Sequence, residues 1–85
     1  MNSLLLMTDK KRANFARIVP KRVEKLRDML RILGNCSNKA NYSWNPEHSR
    51  KLFALLFLEF IATAKLFGIN VTATVDGKDV DTWRG

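Results

Sequence analysis

Eighty-five residues allow one domain at most, with a marginal core, because a chain this short buries only about 60–65% of the surface its unfolded form exposes. A single cysteine, Cys36, excludes an internal disulfide, and with a single histidine, His48, it cannot assemble a four-ligand zinc site. The net charge of +7 lies entirely in residues 1–39, where ten Lys/Arg face Asp9, Glu24 and Asp28, whereas residues 40–85 hold five charges of each sign. That asymmetry points to an anionic partner for the N-terminal half.

In chain order, residues 1–7 read as a loose or docking tail. The run Leu4-Leu5-Leu6-Met7 is too short for a signal-peptide core, and the charges follow it instead of preceding it. A cytoplasmic location is therefore expected, and the Asn-x-Ser/Thr triplets at Asn35, Asn41 and Asn70 carry no glycosylation meaning there. Thr8 is a candidate cap for a helix over about 9–18, with Asp9 at its positive end. Pro20 lacks a donor and crowds the carbonyl of Ala16, so the simplest expectation restarts a second helix at residue 20; a kink in one helix is the alternative. Val19, Val23, Leu26, Leu30 and Leu33 then step by four, three, four and three, which predicts one apolar stripe with coiled-coil-like spacing. Gly34 is expected to end that helix in the left-handed conformation.

Residues 34–45 are rich in Asn and Ser, whose side chains bond nearby backbone, and they predict a loop. Asn45-Pro46-Glu47 is a helix start: a cap, a first-turn proline, then an acid. The helix expected over 46–67 is apolar on every side from Leu52 to Phe67, which requires burial on every side. Glu59, Thr63 and Lys65 interrupt it, and it is shorter than the roughly 20 apolar residues of a membrane span. The expectation is a homodimer through Leu52, Phe53, Leu56, Phe57 and Phe60. After Gly68, the alternation of Ile69, Val71, Ala73 and Val75 with polar residues predicts a strand over 69–75, an Asp76-Gly77 type I′ turn and a return strand over 78–83.

The residues that carry chemistry are few. Lys10, Lys11, Arg12, Arg17, Lys21, Arg22, Lys25 and Lys39 are candidates for phosphate contact, which would be salt-sensitive and indifferent to sequence. Local i, i+3 pairing of Lys21–Glu24, Glu24–Arg27 and Asp28–Arg31 is the plainer reading for part of that set. Tyr42 and Trp44 could stack on unpaired bases, although closing the core or stapling the next helix is the simpler role. Cys36 with His48 lacks the orienting group and oxyanion donors that an activated nucleophile needs. Asp76, Asp79 and Asp81 lack the length and terminal glutamate of a calcium loop. Glu59 is expected to pair with Arg22, Arg27 or Arg31, or to set register between two copies of its helix. No catalytic, metal or cofactor site is expected.

The stretch from Arg22 to Tyr42 holds Gly34-Asn35-Cys36-Ser37-Asn38 and Asn41-Tyr42, and Lys51-Leu52-Phe53 follows. It resembles a family of small uncharacterised bacterial, plasmid and phage proteins with a Gly-Asn-x-Ser-Asn helix end, an Asn-Tyr pair and a Lys-(Ile/Leu)-Phe helix. The resemblance covers roughly residues 20–67. It implies a helix–loop–helix unit and no particular activity. The chain departs from that pattern in being unusually apolar after Phe53, and the hairpin reads as an addition.

The expected fold is therefore α+β: a single domain over 1–85 with two or three helices (about 9–18, 20–33 and 46–67) and a C-terminal β-hairpin. The expected role is a basic, non-enzymatic nucleic-acid-associated accessory protein, of the kind phages and mobile elements encode. The alternatives are an adaptor or inhibitor that meets an acidic protein surface of host machinery, or a small subunit of a larger assembly.

Overall fold

A computed structural model describes the backbone of residues 3–83 and the side chains of residues 8–83. The chain is mostly helical, with a small antiparallel hairpin near its C-terminus, in keeping with α+β. It divides into two compact units, Met1–Tyr42 and Ser43–Gly85.

The first unit is one helix and the turn that ends it. Helix α1 runs from Ser3 to Gly34 with Pro20 inside it. The restart expected at residue 20 does not occur. Proline already has a helical φ, so its penalty is one missing N–H bond and local crowding, about 3 kcal/mol. Good helix formers on both sides (Lys, Arg, Leu, Met and Ala) carry the helix across that defect. The helix also begins earlier than Thr8: backbone that was expected to be tail is helical from Ser3. Residues 1 and 2 of that tail lie outside the described residues.

At its C-terminus, Gly34 has φ −58 and ψ −29, which is right-handed and not the expected left-handed stop. The helix instead tightens into a 3-10 turn at Asn35–Ser37, a common way to finish a last turn. Asn38 leaves the helix with φ −71 and ψ 105. Its side-chain oxygen accepts from the Ala40 N–H at 3.0 Å, and its carbonyl accepts from the N–H groups of Asn41 and Tyr42 at 3.1 and 3.0 Å. The turn chemistry expected of the Asn-rich loop is therefore present.

The second unit is built on helix α2, Pro46–Leu66. Its start matches the sequence signal: Asn45 is extended, and its side chain accepts from the His48 N–H at 2.8 Å. Pro46 and Glu47 occupy the first turn. Its end is a Schellman motif, with the Ile69 N–H on the Ala64 carbonyl at 3.1 Å and the Gly68 N–H on the Lys65 carbonyl at 2.9 Å. That geometry places Gly68 at φ +73, where a side chain would be strained.

The hairpin is shorter than expected. Strand β1 is Thr74–Val75 and strand β2 is Lys78–Asp79, paired antiparallel with Thr74 opposite Asp79 and Val75 opposite Lys78. Asp76 and Gly77 both have positive φ, 50 and 79, as a type I′ turn requires. Residues 69–73 lie outside the strand, and the expected return strand gives way to a 3-10 turn at Val80–Trp83. Asp79 causes that change, because its side-chain oxygen accepts from the Asp81 N–H at 3.0 Å and caps the turn. The turn rolls Val80 onto α2 instead of extending the ladder. Ala54 of α2 and Val80 are the buried apolar residues of the described chain, at 1% and 2% exposure.

Helix α2 was expected to be buried on every side. Within this unit only its Ala54 face is buried, and Leu66, at 86% exposure, marks the other extreme.

Candidate nucleic-acid interface

The basic residues singled out from the sequence are exposed, and seven of the eight lie on α1. At about 100° per residue, a continuous helix gathers Lys10, Arg17, Lys21 and Lys25 within an arc of about 80°. Lys11 and Arg22 lie about 40° and 60° beyond that arc, and Arg12 falls on the opposite side, beside Phe15 and Val19. The continuity across Pro20 matters here, because it fixes the phase between Lys10 and Arg17 on one side and Lys21 and Lys25 on the other. Lys10 to Lys25 spans about 22 Å along the axis at 1.5 Å per residue. Lys39 stands apart, in the turn after the helix.

Local pairing takes up part of the remaining charge. Arg27 lies 3.5 Å from Glu24, and Arg31 donates to Asp28 at 2.8 Å. Both pairs are exposed and contribute about 0.5 kcal/mol or less. Arg17 donates to the neutral Asn14 side chain at 3.2 Å, a bond that leaves its net charge uncompensated by Asn14. Glu24 and Asp28 lie near the basic arc and temper its C-terminal end.

Tyr42 and Trp44 are half-exposed at 50% and 37%, and they belong to different units. Leu52, Phe53, Leu56, Phe57 and Phe60 are exposed on α2. Thr63 donates to the Glu59 carbonyl at 2.9 Å, so the polar line on α2 is satisfied in part by its own helix. Cys36 is exposed in the 3-10 turn. Among the described residues no cluster of His, Cys, Asp or Glu could hold a metal ion, and no helix is long and apolar enough to cross a membrane.

One constellation was not legible in the sequence. In the second unit the Trp83 indole N–H donates to the Val75 carbonyl at 3.2 Å. The ring carries Lys78 at 5.4 Å and Arg50 at 5.9 Å from its centroid. Arg50 also pairs with Asp76 of the turn. Pro46, Ser49, Arg50, Phe53, Phe57, Thr74, Val75 and Asp76 border an open groove of about 330 Å³ beside this cluster. Arg50 and Trp83 are 33 positions apart in sequence, so no local spacing pattern announces them; an aromatic closing a hairpin was the only available signal.

Comparison with known proteins adds no relative: no family model matches the chain, and neither a curated protein nor a solved structure is significantly similar to it.

Proposed function

We propose that the protein is a small, non-enzymatic, cytoplasmic accessory protein that contacts nucleic acid through the basic face of α1 and works as a homodimer. The observation that carries this reading is the single exposed arc of Lys10, Arg17, Lys21 and Lys25 on one uninterrupted helix. Cations aligned along about 22 Å can neutralise successive phosphates and release their counterions without reading bases. Lys11, Arg12, Arg22 and Lys39 add to the positive field around that line. Tyr42 in the first unit and Trp44 in the second each offer an exposed face for an unpaired base. The exposed residues Leu52, Phe53, Leu56, Phe57 and Phe60 supply an apolar surface for a second copy. A mobile element is the setting we propose for such an accessory role.

The test is fluorescence anisotropy with a short mixed-sequence duplex and a single strand across a salt series. The variant Lys10→Gln/Arg17→Gln/Lys21→Gln/Lys25→Gln removes four cations without touching the apolar stripe. Its log K versus log salt slope should flatten by about 3 to 4 for a duplex. Unchanged affinity and slope in that variant would sink the reading.

The exposure of Phe53, Phe57 and Phe60 also favours a second reading, an adaptor or assembly subunit that meets an acidic protein surface. An acidic protein retained from lysate after nuclease treatment, with no salt-sensitive binding to either nucleic acid, would select it.

A further inference from the structure

We propose that the apolar stripe of α1 is an antiparallel coiled-coil seam with the α1 of a second copy. Ala16, Val19, Val23, Leu26, Leu30 and Leu33 are spaced alternately three and four residues apart on a helix that the structure carries without interruption. This is the core spacing of a helix pair, in which each such residue inserts between residues of a facing helix. Val23, Leu26, Leu30 and Leu33 are all exposed, and the described residues of the unit Met1–Tyr42 are α1, its 3-10 turn and the following loop. Pro20 falls outside the seam, so its missing donor does not interrupt it.

Two features decide the direction. The first is volume. The seam has small residues at its N-terminal end and large ones at its C-terminal end. An antiparallel pair sets Ala16 against the partner's Leu33, Val19 against the partner's Leu30 and Val23 against the partner's Leu26. Every layer then joins one small and one large side chain, which keeps the packing even along the interface. A parallel pair would put Ala16 and Val19 against their own copies and leave that end underfilled.

The second is charge. Arg22 and Arg27 flank the seam on opposite edges. In a parallel pair Arg22 would face the partner's Arg27 twice, a like-charge contact at the positions that set orientation. The clusters at Lys10, Lys11 and Arg12 would also stand side by side. The antiparallel pair brings Arg22 to the partner's Met29 and Arg27 to the partner's Pro20, and it separates the two N-terminal clusters. Lys10, Arg17, Lys21 and Lys25 lie on the outer face in this arrangement.

This goes beyond the α2 surface named above and does not depend on phosphate contact. The test uses the full chain. Cys36 is the sole thiol and is exposed, so one nitroxide label can be placed there without substitution. The antiparallel pair predicts a label separation of about 35 Å by electron–electron distance measurement, from 23 residues of offset at 1.5 Å each. Leu26→Lys should abolish that distance, and Phe60→Lys on α2 should leave it in place. A monomer, a separation under about 20 Å as a parallel pair would give, or a 35 Å distance that survives Leu26→Lys would each overturn the proposal. A retained 35 Å distance with no duplex binding would count against the phosphate reading alone.

Discussion

Residues 3–42 and 43–83 reach order by different means. The first region is a 32-residue helix whose order is local: its hydrogen bonds link residues four apart, and its ion pairs link residues three apart. The second has a shorter helix that a hairpin and a 3-10 turn close upon, with Ala54 and Val80 buried where they meet. The basic face belongs to the region without a tertiary core. The second region instead carries the buried contact and the exposed apolar residues of α2. The lesson is that charge and packing are divided between the two halves rather than layered on one.

The sharpest way to break this comparison is Pro20→Ala. If α1 is ordered locally and continuously, restoring the Ala16 hydrogen bond should stabilise it by up to about 3 kcal/mol. Amide exchange over residues 14–24 should slow accordingly while residues 46–66 are unchanged. No change in exchange would mean that the helix is two segments. The second test contrasts the regions directly. Val80→Ala should cost about 2 kcal/mol in a urea melt followed by tryptophan fluorescence. Ile32→Ala, an exposed position on α1 outside the seam, should change stability by less than about 0.5 kcal/mol. Equal losses would remove the distinction. Asn45→Ala deletes the oxygen that receives the His48 N–H and should cost about 1 kcal/mol, seen as fraying of the first turn of α2. The smallest effect belongs to Arg50→Gln. The exposed pair with Asp76 should contribute about 0.5 kcal/mol or less, so this variant should shift the melt slightly while changing the fluorescence of Trp83.

Where one residue type has a strong local preference, the sequence was a good guide. Asn45-Pro46 started α2, Gly68 stopped it, and Asp76-Gly77 made the type I′ turn, because each depends on backbone geometry within a few residues. The sequence misled where two preferences competed. Pro20 argued for a break, but the propensity of some thirty flanking residues prevailed. Gly34 argued for a left-handed stop, but a 3-10 turn closed the helix without it. The alternation from Ile69 to Val75 argued for a long strand, yet pairing stops after two residues because Asp79 caps a turn instead of extending the ladder. The candidate basic residues were all visible as charges, but which of them share a face depended on the helix being continuous.

The sequence by itself determined the charge division, the helical character of residues 20–33 and 46–66, the Asn45 cap, the Gly68 stop and the Asp76-Gly77 turn, since these follow from composition and from interactions spanning at most one or two helical turns. Only the tertiary structure decided that the turn carrying Val80 packs on α2 and that Arg50, Asp76, Lys78 and Trp83 form one cluster. Arg50 reaches Asp76 and Trp83 across 26 and 33 positions of sequence, and the energies of such contacts depend on three-dimensional proximity that no local pattern encodes.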